Sequence, residues 1–281
     1  MSELPIVVLP VGSDDDALDA SLAALDAGTA PGTRVWLADN ASAGPRVGAI
    51  IERWLGRTRL HADYSRRPRR VSELDHLDEV LAACGGADIA VLASDALPMP
   101  GWLGRMAGCL AADGSVATVT AWSNAGEAVA WPEIGECGPL PGDPDRLARA
   151  AARMPAISPE IPAAVGHAVV LRGAALQKAR GLDVDSFGSW YAGLIDLSLR
   201  LSGLGWRNVL CTSAFVARPG EGVPAEGDME RLASRWPDWH ARLAGFLMDD
   251  PLQDARGRLS SLLEETGPPD PQADLFGESA P

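Results

Sequence analysis

From residue 4 to residue 122, short apolar runs rich in β-branched residues alternate with longer stretches in which leucines return at helical spacing. "LPIVVLPV" (4–11), "TRVWLADN" (33–40), "TRLHADY" (58–64), "DIAVLAS" (88–94) and "SVATVTAW" (115–122) read as strands. The segments between them, about ten to fifteen residues each, read as helices. Few folds accept this alternation, because parallel strands need a crossover and a helical crossover packs back on its sheet with one hand. The expectation is an α/β chain of Rossmann-like form: a mixed, mainly parallel sheet with helices on both faces. Local signals agree. Ser13 is placed to cap the first helix, with Asp14, Asp15 and Asp16 at the positive end of its dipole, and Gly28 ends it. Ser72 and Asp75 open the third helix, which the Gly85–Gly86 pair closes.

The pattern then changes. Residues 123–164 are rich in Pro and Gly around one expected helix (Asp145–Met154), the character of a binding loop or lid. "GHAVVLRG" (166–173) returns as a strand, followed by a short helix, an aromatic loop "FGSWYAG" (187–193) and an amphipathic helix from 194 to 205. "WRNVLCTSAFVAR" (206–218) holds one or two strands, and the following helix should break at Pro237 before a last one over 252–265. The chain divides at 1–222, a helical extension at 223–265, and a tail at 266–281 without a periodic apolar face, expected to be disordered.

A net charge of -14 and a pI near 4.7 argue against nonspecific binding to nucleic acid or to an anionic membrane. No run of eighteen apolar residues and no signal peptide are present, so a soluble, cytoplasmic protein without a transmembrane segment is expected. Cys84, Cys109, Cys137 and Cys211 lie far apart, with no metal or disulfide spacing, and read as reduced and mostly buried. "SRRPRR" (65–70) is a local basic loop, suited to phosphate oxygens, to a docking partner, or simply to solvent.

One carboxylate, Asp95, stands where the apolar strand of "VLASDALPMPGWL" (91–103) gives out. In open α/β sheets ligands bind at the carboxyl ends of strands, although a turn aspartate would look the same. The glycine, nucleophile and zinc motifs of dinucleotide enzymes, P-loop NTPases, α/β-hydrolases and zinc proteases are all missing.

The ordered series "VVLPV", "VWLADNAS", "VLASDALPMPGWL", "VTAWSNAGE", "GHAVVLRGAAL" and "GLGWRNVLCTSAFVAR" resembles the family 2 glycosyltransferases of the GT-A fold, over roughly residues 4–220. The resemblance implies a nucleotide-sugar crevice in which Pro10, Val11 and Gly12 line the base pocket and Asp39, beside Asn40, contacts the base. On the residues alone, Asp39, Asn40 and Ser42 equally make an Asx-type turn. It further implies that Asp95 manages the diphosphate with the arginines, Arg69 and Arg218 among them, through a manganese or magnesium ion. Ser123–Gly126 would flank the donor or acceptor pocket.

Three departures bear on the chemistry. Ala93 replaces the first acid of the family's Asp-x-Asp, and Arg218 stands where a metal-binding histidine is usual, so metal binding is expected to be weak or absent. In "FGSWYAGLIDLSLR" (187–200), Gly193 and Leu194 occupy the places of the family's acidic pair. Asp196 then remains, either as the catalytic base or as a first-turn residue that stabilises its helix, with Glu127 and Glu133 as replacements. Trp190 and Tyr191 are candidates for sugar stacking or plain anchors, His167 reads as a core histidine, and Trp236 and Trp239 as packing. The implied function is an inverting hexosyl- or deoxyhexosyl-type transfer from a nucleotide sugar to a glycan or protein acceptor. The alternative is a non-catalytic relative serving as a protein partner in a glycosylation complex.

Overall fold

The computed structural model describes residues 4–267. The chain begins β1 (Ile6–Pro10), α1 (Asp15–Gly28), β2 (Arg34–Asp39), α2 (Pro45–Leu55), β3 (His61–Arg66), α3 (Glu73–Ala83) and β4 (Ile89–Leu92). It continues through β5 (Leu97–Pro98), α4 (Trp102–Ala112), β6 (Val116–Trp122), α5 (Pro144–Ala152), β7 (Ala168–Leu171), α6 (Gly173–Ala179), α7 (Trp190–Gly203) and β8 (Arg207–Ala217). Helices α8 (Asp228–Arg235), α9 (Trp239–Asp249) and α10 (Gln253–Glu265) follow.

Eight strands form one mixed sheet in the order β3-β2-β1-β4-β7-β6-β8-β5. Strands β3, β2, β1 and β4 are mutually parallel, as helical crossovers require, and β6 is parallel to β8. Strand β7 runs antiparallel to both neighbours, and β5 antiparallel to β8. The expected mainly parallel α/β sheet is therefore present, with β7, which follows the long irregular segment after β6, and the two-residue β5 as its antiparallel members.

The two faces are built by period-two strands meeting helical stripes. Val7 and Leu9 pack on one side with Leu18, Leu22 and Leu25 of α1, Trp54 of α2 and Trp102 of α4. Val8 and Val91 face the other side, against Leu74, Leu77 and Leu81 of α3 and Leu194 and Leu197 of α7. Each such leucine contributes about 1.5–3 kcal/mol by leaving water. Fully buried Trp54, Trp102 and Trp122 hand their indole N–H groups to Leu22 O, Thr29 Oγ1 and Thr212 O, so none of them strands a donor.

Several expectations are corrected. Asp14, not Ser13, caps α1, its carboxylate accepting from the Ala17 N–H. Strand β3 starts at His61 rather than 58; the stretch 206–218, expected to hold one or two strands, holds one, β8, with β5 paired to its end. Helix α7 starts at Trp190, four residues before the expected 194, because the Ser189 hydroxyl accepts from Ala192 N and caps it there. Pro237 does separate α8 from α9. Leu232 and Trp239 join the second core cluster, while Leu252, Leu259 and Leu262 pack with Trp122 and Phe215. Of the cysteines, all free thiols, Cys211 is buried, Cys84 and Cys109 are half-buried and Cys137 is exposed, so "mostly buried" does not hold. The expected tail lies outside the described residues apart from Thr266 and Gly267. Among the described residues no helix is long and apolar enough to cross a membrane.

Candidate functional site

A cleft of about 500 Å³ opens at the carboxyl ends of β1 and β4, lined by Pro10 and Gly12 from one strand end and Ala93, Ser94 and Asp95 from the other. The backbone at Gly12 lies close to Ser94, and a Cβ there would make the Ser94 hydroxyl turn aside. The far wall is the start of α7, Trp190 and Tyr191, and the loop after β8, Arg218 to Val223. Asp228 joins these two loops: fully buried, it accepts from Gly188 N, Ser189 N and Ala225 N at 3.0–3.1 Å. Burial disfavours its charge, but the Ser189 hydroxyl, the Gly188 amide, Arg231 and the Ala225 amide outweigh that and hold its carboxyl below the usual range.

Asp95 is met by Arg218, whose Nε donates to Oδ1 at 2.8 Å. Asn124 holds that arginine in place from behind. Its Oδ1 accepts from Arg218 N at 2.9 Å, and its Nδ2 donates to Arg218 O at 2.8 Å and Gly138 O at 2.9 Å. The Ser-Asn segment after β6 thus fixes the backbone of the residue that ends β8. Among the described residues lining the cleft, Arg218 is the one arginine or lysine, facing Asp14, Glu73, Asp95, Glu127 and Glu221.

Glu127 also lines the cleft, on a short 3₁₀ turn after β6, in a left-handed conformation with φ of 49°. The Tyr191 hydroxyl donates to its Oε2 at 3.1 Å. Burial pushes the Glu127 carboxyl up to about 7, and Glu221 adds to the rise, while the Tyr191 hydroxyl and Arg218 oppose it. Burial and the facing carboxylate push the Tyr191 phenol upward as well. A carboxyl that titrates near neutrality at a cleft wall can take up and release a proton during turnover.

The expected site residues separate into two groups. Pro10, Gly12, Asp95 and Arg218 come together in the cleft, with Trp190, Tyr191 and Glu127. Val11, Asp39, Asn40, Arg69 and Asp196 are not among its lining residues. Asp39 is fully buried, with Oδ1 accepting from Ala41 N and Oδ2 from the Tyr64 hydroxyl, each at 2.7 Å. Asn40 Oδ1 accepts from Ser42 N at 3.1 Å, so two successive Asx turns form with Ala41 at φ 65°. Val11 is buried and Arg69 exposed on the loop after β3. Glu133 lines a separate shallow hollow with Asp250 and Arg256.

Asp196 occupies the seventh position of α7, not its first turn, and is fully buried. Arg200 Nε binds its Oδ2 at 2.7 Å, and Arg235 and the Trp236 indole bind Oδ1 at 3.1 and 3.0 Å. Neither expected role, base or first-turn stabiliser, matches that placement; the residue anchors α8 to α7. Gly193 and Leu194 are equally interior, since a Cβ on Gly193 would stand 3.0 Å from Leu74. His167 is fully buried, donates through Nε2 to Ala121 O at 3.0 Å, and is pushed down to about 3 by burial, so it stays neutral.

The donor set does not fit a divalent cation held by the protein. Asp95 already carries a guanidinium, position 93 is an alanine, and among the described residues no three His, Cys, Asp or Glu side chains form a metal-holding group. Sequence reasoning missed Glu73 and Glu221 at the cleft; the latter stands three residues after Arg218 in "RPGEG" and could have been found there.

No family model matches the sequence, and no curated protein matches it. Solved structures do match. The mannosyltransferase PcManGT from Pyrobaculum calidifontis, in complex with GDP-Man and Mn2+, aligns over 96% of this chain and 77% of its own, with TM-score 0.58 and 15% identity. GalNAc-T7 with UDP, GalNAc and Mn2+ aligns over 94% of this chain at TM-score 0.59 and 12% identity, and this chain spans about half (54%) of its length. Staphylococcal (S. aureus) TarS 1-349 with UDP-GlcNAc aligns over 92% of this chain and 82% of its own, at TM-score 0.53 and 13% identity. At such identities the likeness is one of fold: the chain has the mixed α/β GT-A architecture of these glycosyltransferases.

Proposed function

We propose that the cleft binds a nucleotide sugar and transfers its sugar to a hydroxyl of a glycan or protein acceptor, in the manner of a divergent family 2 glycosyltransferase. What carries this reading is that the Glu127–Tyr191 pair and the Asp95–Arg218 pair share one cleft at the strand ends of a GT-A fold. Arg218 meets the diphosphate of the donor with its guanidinium fork, and the negative charge that builds on the leaving group settles there. Glu127 takes the acceptor proton as the hydroxyl oxygen bonds to the anomeric carbon. The bond from that carbon to the phosphate oxygen breaks, and the nucleoside diphosphate leaves with the electron pair. Attack from the face opposite the leaving group inverts the anomeric centre. Pro10 and Gly12 contribute backbone to the donor side, Val11 packs in the core between them, and Asp39 and Asn40 support that side by holding their turn. A hexosyl or deoxyhexosyl donor fits a cleft of about 500 Å³ with an aromatic wall. A manganese or magnesium ion enters weakly or not at all.

The alternative of a non-catalytic, donor-binding scaffold has one observation in its favour, the mutual neutralisation of Asp95 and Arg218. Melting scans against nucleoside diphosphates and nucleotide sugars, with and without manganese, followed by assay of nucleotide release, separate the two. Stabilisation with release supports transfer, and stabilisation without release under any acceptor supports the scaffold. A chain that no nucleotide stabilises overturns both.

A further inference from the structure

Cys109, on the last turn of α4, and Cys211, on β8, bring their sulfurs within 3.1 Å of each other, both as free thiols. Cys211 lies where the β6–β8 register slips: Ala121 is opposite Cys211 but Trp122 is opposite Phe215, so three residues of β8 loop out just beyond the thiol. The hydrogen bond between the two sulfurs pulls Cys109 down to about 6 against its own burial, with help from the Ser158 hydroxyl, while Cys211 is pushed up. Cys109 is half-buried and Cys211 fully buried, so an oxidant reaches Cys109 first and the Cys211 sulfur stands behind it.

We propose that Cys109 and Cys211 form a reversible disulfide, Cys109 attacking hydrogen peroxide and Cys211 acting as the resolving thiol. The Cys109 thiolate displaces hydroxide from the peroxide, breaking the O–O bond and leaving a sulfenic acid. The Cys211 sulfur then bonds to the Cys109 sulfur, the S–O bond breaks, and the oxygen departs as water with the Cys211 proton. Two thiols lose two electrons, the peroxide gains them, and two waters result. A disulfide needs about 2.05 Å between sulfurs, so the pair closes by roughly 1 Å. The bridge would tie α4, which follows the segment carrying Asp95, to β8, which runs into Arg218.

The test uses the full chain treated with hydrogen peroxide, then alkylated, digested and mapped by mass spectrometry. The expected product is two hydrogens lighter, contains one cross-linked peptide pair joining 109 to 211, reverts with dithiothreitol, and melts several degrees higher than the reduced form. A disulfide already present on purification, mapped to the same pair, supports the proposal equally. Cys109→Ala and Cys211→Ala should each abolish the bridge, and Cys84→Ala and Cys137→Ala should leave it intact; the native-chain mapping stands even where a core variant fails to fold. Recovery of Cys109 and Cys211 as alkylated thiols after Cys137 has been oxidised overturns it. So does a bridge to Cys137, or Cys109 ending as a sulfinic acid beside a free Cys211.

Discussion

Two aspartates of this chain are each met by arginine, and they end in opposite roles. Asp196 is fully buried, and both of its oxygens are taken up by Arg200, Arg235 and the Trp236 indole. Asp95 keeps 28% of its side chain exposed and is met by Arg218 on Oδ1 at the wall of a cleft. The first carboxylate is consumed in joining helices, and the second belongs to a charge pair that a ligand can rearrange. An acid becomes available for chemistry through what the fold leaves unoccupied around it, and only partly through its position in a motif.

The contrast can be broken at several points. Asp196→Ala should take one partner each from Arg200, Arg235 and the Trp236 indole and cost about 1–3 kcal/mol of stability, read by denaturant unfolding, with release per folded molecule unchanged. A soluble, stable Asp196→Ala chain without turnover would return the base to that residue. Glu127→Gln should lower turnover about a thousandfold while the chain still binds nucleotide, measured by release and melting in parallel. Arg218→Met should weaken nucleotide binding about ten- to a hundredfold, seen as a lost melting shift, and alter the stability of the free chain far less than Asp196→Ala does.

The pH dependence follows the same division. In the proposed mechanism Glu127 serves as base only when ionised, so turnover should rise about tenfold per pH unit up to about 7 and then level off. Its folded value lies above the ordinary 4.5, so the stability linked to its protonated form is present below that value and lost as pH rises through about 7. Glu127→Gln should accordingly be more stable than the native chain at pH 8 and no more stable at pH 4. Smallest in size, Tyr191→Phe removes a donor to the Glu127 carboxylate and should move the inflection upward by about one unit.

Much of the fold was legible because strand and helix periods are written in neighbouring residues. Asp95 stood out as an acid at the end of an apolar strand, and Arg218 as a basic residue where the resemblance led one to look for histidine. Asp196 misled for a definite reason. "WYAG" carries no strong helix signal, and α7 begins there because Ser189 caps it while Asp228, 39 residues away in the chain, grips the Ser189 amide. Moving the start by four residues turns Asp196 from a terminal residue into an interior one. Glu127 came into view only as one of two spare acids, since its pairing with Tyr191 spans 64 positions.

The sequence alone determined the order of strands and helices, the acidic surface and the strand-end carboxylate, because hydrophobic period, capping and net charge are local or additive properties. Tertiary structure decided which carboxylates are spent and which face the cleft. Arg218 reaches Asp95 across 123 positions and Arg235 reaches Asp196 across 39, and no local rule specifies partners that only folding brings within hydrogen-bond range.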